Sequence, residues 1–188
     1  MNLSPGFANP VADAQSCFRA VLDAMARPGR IQAVTGVSAP SPLCDAAASV
    51  LLTLADHETP LWLECAAEPA RPWIGFHTGA PIVPADRALF AMAFSLPDLL
   101  GFPNGTDEMP ETAATVILQV SSLTTGSRFV LAGPGLREPT MLTVAGLPPD
   151  FAAIWQRNHA LFPRGIDLIL CAGEHLIALP RSVSIRDS

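Results

Sequence analysis

All eleven basic residues of this 188-residue chain are arginine; the sequence holds no lysine and no tyrosine. Arginine stays protonated in proteins and cannot act as a nucleophilic amine. An internal Schiff base, a phosphate-loop lysine and a lysine general base are therefore excluded together within this sequence. No phenol is present to serve as an acid. Chemistry at this chain falls to Asp, Glu, His, Ser or Cys, or to groups that another molecule supplies.

The stretch LFPRGIDLILCAGEHLIALPR (161–181) crowds charge at one end of an apolar pair of runs. Gly173-Glu174 splits the runs, and Gly173 suits the first central position of a type II′ hairpin turn. That turn pairs Ala172 with His175, Asp167 with Pro180 and Ile166 with Arg181. Because strand side chains alternate faces, Arg181 shares a face with Ile166 and, if the strand extends so far, with Arg164. Diagonal neighbours lie about 7–8 Å apart. Two guanidiniums so placed could grip a phosphate or phosphonate. Equally, Arg181 could pair with Asp167 and close the end of the sheet.

Other candidates are more scattered. His77, in GFHTG, has glycine neighbours that would let a ligand approach. The four histidines include no HxH or HxxxH pair, and the four cysteines (Cys17, Cys44, Cys65, Cys171) no CxxC or zinc-finger spacing. Reduced, buried thiols and no metal are expected. The loop AGPG (132–135) follows a strand but lacks the GxGxxG spacing of a phosphate cradle, so it reads as a tight turn. Asp56-His57-Glu58 reads as a solvated helix end. Arg19 matches Asp23 at i, i+4 on the first helix, worth tenths of a kcal/mol; Arg19 could instead reach a partner chain.

The elements that must position these residues alternate between helix and strand. NPVADAQSCFRAVLDAMARPG reads as a helix capped by Asn9, with Phe18, Val21, Leu22 and Met25 as its core stripe. RIQAVTG reads as a first strand, and Ser41-Pro42 opens a second helix with Ala47, Val50, Leu51 and Leu54 on one face. LWLECAA is a strand, PARPWIGFHTGAPIV an irregular extended strand with a tight turn, ALFAMAF a strand, and SLPDLLGF a short helix capped by Ser95. PNGTDEMPET is the most loop-like stretch, and a mobile loop is expected near 103–112. AATVILQVSSL and SRFVLAGPG form a hairpin (118–132) through Thr124-Thr125-Gly126, and Pro148-Pro149-Asp150 starts a third helix with Phe151, Ile154 and Trp155 inward. The sum is one α/β domain over 1–188: a layered mixed sheet with helices on both faces.

Composition limits the partners. A net charge of −6 argues against a nucleic-acid binder. No apolar run approaches the roughly 18 residues of a membrane span. MNLSPGFANP has neither a basic start nor an apolar h-region, so a cytoplasmic location is expected.

Taken together, FRAVLDAMARPGRI, SVLLTLADHETPLWL, FHTGAP, ATVILQVSSL and FPRGIDLILCAGEHLIALPRS resemble the H subunit family of the bacterial carbon–phosphorus lyase core complex. The likeness runs from about residue 7 to 183. Arg19, Pro28, Gly29, His77, Gly165, Asp167, Gly173, Glu174 and Arg181 match the family pattern. Arg164 stands at a variable position, and Ala113 where the family usually has glycine. The resemblance implies a fold similar to pyridoxal-phosphate-dependent transferases but without the cofactor, which agrees with the missing lysine. It also implies a homodimer that joins subunits G, I and J. In that setting the chain is an assisting or non-catalytic subunit, supporting formation of a ribose-triphosphate phosphonate from a nucleoside triphosphate and phosphonate. The alternative is an enzyme or binder that recognises a phosphonate or nucleotide in a dimer-interface cleft. In either case Arg19, His77, Asp167 and Arg181 are the candidate ligand- or interface-contacting residues.

Overall fold

A computed structural model describes residues 4–188, and its frame is a six-stranded mixed sheet. The chain enters through α1 (Pro10–Ala26), where the Asn9 side chain accepts from the Ala12 N–H and Pro10 sits where no N–H is needed. Then come β1 (Gln32–Ala33), α2 (Asp45–Leu54), β2 (Leu61–Leu63), α3 (Arg71–Thr78), β3 (Phe90–Ala93) and β4 (Thr115–Gln119). β5 (Ser122–Ala132), β6 (Thr140–Ala145), α4 (Phe151–His159), β7 (Asp167–Ala172), β8 (His175–Leu179) and β9 (Ser184–Asp187) follow. The large sheet has the order β1-β8-β7-β4-β3-β2, with β2, β3, β4 and β7 parallel and β8 antiparallel to both neighbours. A smaller antiparallel sheet has the order β6-β5-β9.

Alternation along the central strands explains the layering. Ile117 of β4, Ile169 and Cys171 of β7, and Leu176 and Ala178 of β8 face one core with α1, α2 and α3. Val116, Leu118, Leu168, Leu170, Ile177 and Leu179 face the other, against β5, β6, β9 and α4. Strands buried on both faces read as continuous apolar runs, which is what VILQV and IDLILCA are. The layered mixed-sheet α/β architecture expected from sequence is present. The helices are unevenly shared: three cover one face, while α4 and the small sheet cover the other.

Buried polar groups lock α4 to the strand that carries the hairpin charges. Asn158 is 1% exposed; its amide donates to the Ile166 carbonyl and accepts from the Ile166 N–H, both at 2.8 Å. Trp155 donates through Nε1 to the Val183 carbonyl at 2.7 Å. Each bond satisfies backbone that no strand pairs.

Several local expectations fail for identifiable reasons. PARPWIGFHTG is not extended: a 3-10 turn (Cys65–Ala70) leads into α3, which buries Trp73 and Ile74. Pro72 is tolerated in the first helical turn, and Gly79 (φ 69) stops the helix in the left-handed region. The breakers that suggested a strand are thus helix punctuation. The 118–132 hairpin does not form, because β4 belongs to the large sheet and β5 to the small one, where β5 pairs with β6. Thr124-Thr125-Gly126 instead lies in a bulge inside β5: Ser122 pairs with Ala145, and the next pair is Ser127 with Val144. RIQAVTG shrinks to a two-residue edge strand, and α2 starts at Asp45 rather than Ser41. SLPDLLGF keeps only a 3-10 turn (Leu99–Gly101) capped by Asp98, because the Ser95 hydroxyl is engaged by Glu64.

Candidate functional site

The hairpin register is as expected. Ala172 opposes His175 and Leu168 opposes Leu179, which brings Asp167 to Arg181. The Asp167 carboxylate accepts from the Arg181 N–H at 2.7 Å, from Nε at 3.1 and 3.2 Å, and from Nη2. The Nη1 atom donates to the Pro110 carbonyl at 2.7 Å. The two side chains are only 13% and 17% exposed. A bidentate pair of this kind has little donor capacity left for an added anion. It joins β7 and β8 at their open end and ties the 103–112 segment to them.

Arg164 does not join Arg181. It lies 3.3 Å from Asp107, both well exposed, and Gly165 donates its N–H to the Asn104 carbonyl. Both arginines therefore hold the same segment at separate points, which includes a 3-10 turn (Pro110–Thr112). The geometry is that of a fastened strand end, with no pair of guanidiniums facing one anion.

His77 and Arg19 stand elsewhere. His77 is in the last turn of α3, with Nε2 3.1 Å from the Ser4 carbonyl, which also accepts from Trp73 Nε1 at 2.8 Å. A carbonyl only accepts, so Nε2 carries the proton and Nδ1 of the neutral ring is the acceptor. The ring lines a cleft of about 340 Å³ with Gly6, Phe7, Pro10, Ala14 and Leu52. Arg19 is exposed on α1, and Asp23 is not its partner: that carboxylate takes Arg27, Arg30 and the Gln32 amide, fastening the helix end to β1. The structure thus unites Asp167 with Arg181 and leaves Arg19 and His77 apart from that pair.

Of the core stripe expected on α1, Val21 and Met25 pack inward, but Phe18 and Leu22 do not. Cys17, Val21 and Ala24 are the buried residues, whereas Phe18 is 48%, Leu22 52% and Val11 82% exposed. Spacings of seven and four place Val11, Phe18 and Leu22 on one stripe, beside Arg19. The helix has apolar residues on two faces and the sheet covers one.

The remaining candidates settle into structure. Gly135 of the AGPG turn abuts the Ala26 carbonyl, where a Cβ would come within 2.4 Å. The turn makes room for the C-terminal end of α1, the negative pole of the helix dipole and the wrong one for phosphate. Asp56 accepts from the Glu58 N–H and the Thr59 hydroxyl in an exposed turn. Cys17 and Cys171 are buried, and burial pushes both thiols up; Cys44 is half-buried and also raised by burial, while Cys65 is exposed, against the expectation that all four are buried. Among the described residues no group of three His, Cys, Asp or Glu is placed to hold a metal ion, and no helix is long and apolar enough to cross a membrane.

Sequence reasoning overlooked the opposite end of the sheet. A cleft of about 400 Å³ opens at the C-terminal ends of β4 and β7, lined by Ile31, Ser121, Ser122, Leu123, Thr124, Ala172, Gly173 and His175. A shallower one, lined by Phe94, Gln119, Val120, Ser121 and Gly146, adjoins it through Ser121. Open α/β sheets bind ligands at this edge. The run SSLTTG, small and hydroxylic after an apolar strand, was the available signal.

Fold and polar groups together define an α/β protein whose internal ion pairs hold strand ends and loops, and one of whose helices carries an exposed apolar stripe. The chain belongs to the bacterial phosphonate metabolism protein (PhnH) family, whose model matches residues 5–186. It is 40% identical to the Rhizobium meliloti (strain 1021) alpha-D-ribose 1-methylphosphonate 5-triphosphate synthase subunit PhnH, covering 97% of this chain and 94% of that one. It is 32% identical to the putative C-P lyase subunit protein HtxG of Stutzerimonas stutzeri, over 91% of this chain and 85% of the relative.

Proposed function

We propose that this protein is an assisting subunit of a carbon–phosphorus lyase core complex. It supports formation of a ribose-triphosphate phosphonate from a nucleoside triphosphate and a phosphonate, as the names of its relatives suggest. It would act in the cytoplasm as a homodimer that joins subunits G, I and J. Its fold would be that of the pyridoxal-phosphate-dependent transferases without their cofactor, for which this sequence has no lysine.

The observation that carries the proposal is the exposed stripe of α1. Phe18 and Leu22 leave about half of their side-chain surface in water. Covering such groups is worth about 25 cal/mol per Å² of apolar area, and large aromatic side chains are enriched in the buried centres of interfaces. Arg19 beside them supplies a charge for the rim. Co-expression with the other subunits tests the proposal: the chain should co-elute with them, and the Phe18→Glu/Leu22→Glu double variant should fold normally yet elute alone. A wild-type chain that co-elutes with none of them refutes it.

One observation favours a second reading, recognition of a small ligand. His77, anchored through Nε2 at the Ser4 carbonyl, lines a cleft with Pro10 and Ala14 at the start of α1. Calorimetric titration of the isolated chain with phosphonates and nucleotides separates the two. Saturable binding lost in His77→Leu supports this second reading, and an absence of heat retires it.

A further inference from the structure

We infer that the cleft at the C-terminal ends of β4 and β7 is a binding site for a neutral polyhydroxylated ring, the chemistry of a furanose sugar. The site is read from its lining and does not rest on α1, while the choice of a furanose among such rings rests on the proposed subunit role.

The cleft is built, rather than left over between elements. Between Ser122 and Ser127 the ladder of β5 with β6 is interrupted, and residues 123–126 bulge out. A bulge gives up ladder hydrogen bonds and re-aims side chains, and bulges are over-represented next to active sites. Here it leaves Thr124 exposed at the cleft while Leu123 packs into the core behind it, and Ser122 Oγ steadies it by accepting from the Thr124 and Thr125 N–H groups at 3.2 and 3.1 Å. The opposite wall is the β7–β8 turn. Gly173 has nothing within 4 Å of where a Cβ would lie, so the mouth stays open there.

The lining selects the ligand. Its polar side chains are three hydroxyls, on Ser121, Ser122 and Thr124, and the His175 imidazole; none is a carboxylate, guanidinium or amine. Among the described residues neither the Ser121 hydroxyl nor the His175 ring forms a hydrogen bond within the protein, and both are exposed. Their capacity is open to a ligand. Ile31 and Ala172, backed by the buried Leu123, supply an apolar strip for a C–H face. A few convergent polar groups over an apolar wall are the usual make-up of a small-molecule site. A bare anion finds no countercharge in this lining, and a flat hydrocarbon would leave the Ser121 hydroxyl and the His175 ring unmatched, the Ser122 and Thr124 hydroxyls being bonded to each other. A ring with several hydroxyls over C–H groups fits both.

The test uses the full chain, isotopically labelled, titrated with methyl β-D-ribofuranoside and, separately, with ribose 5-phosphate and inorganic phosphate, followed by amide shifts. The two sugars should shift residues 121–124 and 172–175 with similar low-millimolar affinity, as expected for ligands of this size, and phosphate alone should not. His175→Leu should weaken the ribofuranoside about tenfold, the loss of one hydrogen bond to the ligand. Thr124→Trp should block it by filling the mouth. Both positions are exposed, and thermal melts check that the variants fold. No shifts with the ribofuranoside, shifts centred on other residues, or binding of phosphate alone at this cleft would each overturn the inference.

Discussion

Replacing Arg181 with methionine keeps the apolar stem and deletes the guanidinium, which makes it a clean probe of the fastened strand end. Four contacts go: the three guanidinium bonds to Asp167, two of them from Nε, and the bond to the Pro110 carbonyl. Removing one partner of a fully buried pair costs about 3–5 kcal/mol. Here the side chains are 13% and 17% exposed, and Asp167 keeps the Arg181 backbone N–H, so about 2–3 kcal/mol is the expected loss. For 188 residues the unfolding entropy is about 0.4 kcal/mol/K, which converts that loss to a fall in Tm of about 5–8 °C. Urea melts of Arg181→Met, Asp167→Asn and the double variant give the coupling, expected at about 2 kcal/mol. Hydrogen exchange should also quicken at Thr112 and Ala113, whose amides close the 3-10 turn that Arg181 holds. A coupling within about 0.5 kcal/mol of zero would refute the reasoning, because the pair would then contribute nothing beyond its separate residues.

Gly126→Ala forces φ +111 on a β-carbon that would lie 2.4 Å from the Val144 carbonyl; a loss of about 3 kcal/mol or more is expected in urea melts, and a near-neutral variant would mean the bulge is not as drawn. Glu64 is pushed up by burial, but the Ser95 hydroxyl and the Phe94 and Ser95 N–H groups outweigh this and hold its carboxyl below the usual range. A folded pKa below the unfolded value of about 4.3 contributes stability that is complete above that pH and lost as pH falls through the folded pKa. The stability gap between wild type and Glu64→Gln should therefore shrink on acidification through that window, and a gap independent of pH would count against the assignment. With a thiol reagent at neutral pH, Cys65 should react first, and Cys17 and Cys171, buried and raised, only on unfolding; rapid labelling of either buried thiol in the native protein would contradict their placement.

The central sheet was legible because its signal is local. Strands covered on both faces must be apolar throughout, and the β7–β8 turn is set by Gly173 two positions wide, so partner and register follow from spacing. Helix α4 was legible from Pro148-Pro149-Asp150 ahead of Phe151 and Trp155. What failed was non-local. Whether β4 pairs with β5 or sends it to another sheet depends on β6 and β9, which lie well beyond β4 in the chain, and no turn residue records that choice. Pro72 and Gly79 carry the same letters in a helix cap as in a loop; burial of Trp73 and Ile74 against α2 decides the matter.

The candidate site shows the same limit from the other side. Charged residues draw attention in a sequence, yet Asp167 and Arg181 stand at the N-terminal edge of the parallel strands, where Thr115 and Asp167 begin β4 and β7. Ligands of open α/β sheets gather at the other edge. There this chain places serine, threonine, glycine and histidine, and the run SSLTTG was their one mark in the sequence. The α1 stripe was visible as periodicity, and Val21 and Met25 go to the core as expected while Phe18 and Leu22 do not. A helix whose apolar residues at 17, 18, 21, 22, 24 and 25 span more than one face has more than a single sheet can cover. Such a surplus cannot say from sequence which half meets the core. In the folded chain Cys17, Val21 and Ala24 do, and what Phe18 and Leu22 meet must come from another molecule if they are to be buried at all.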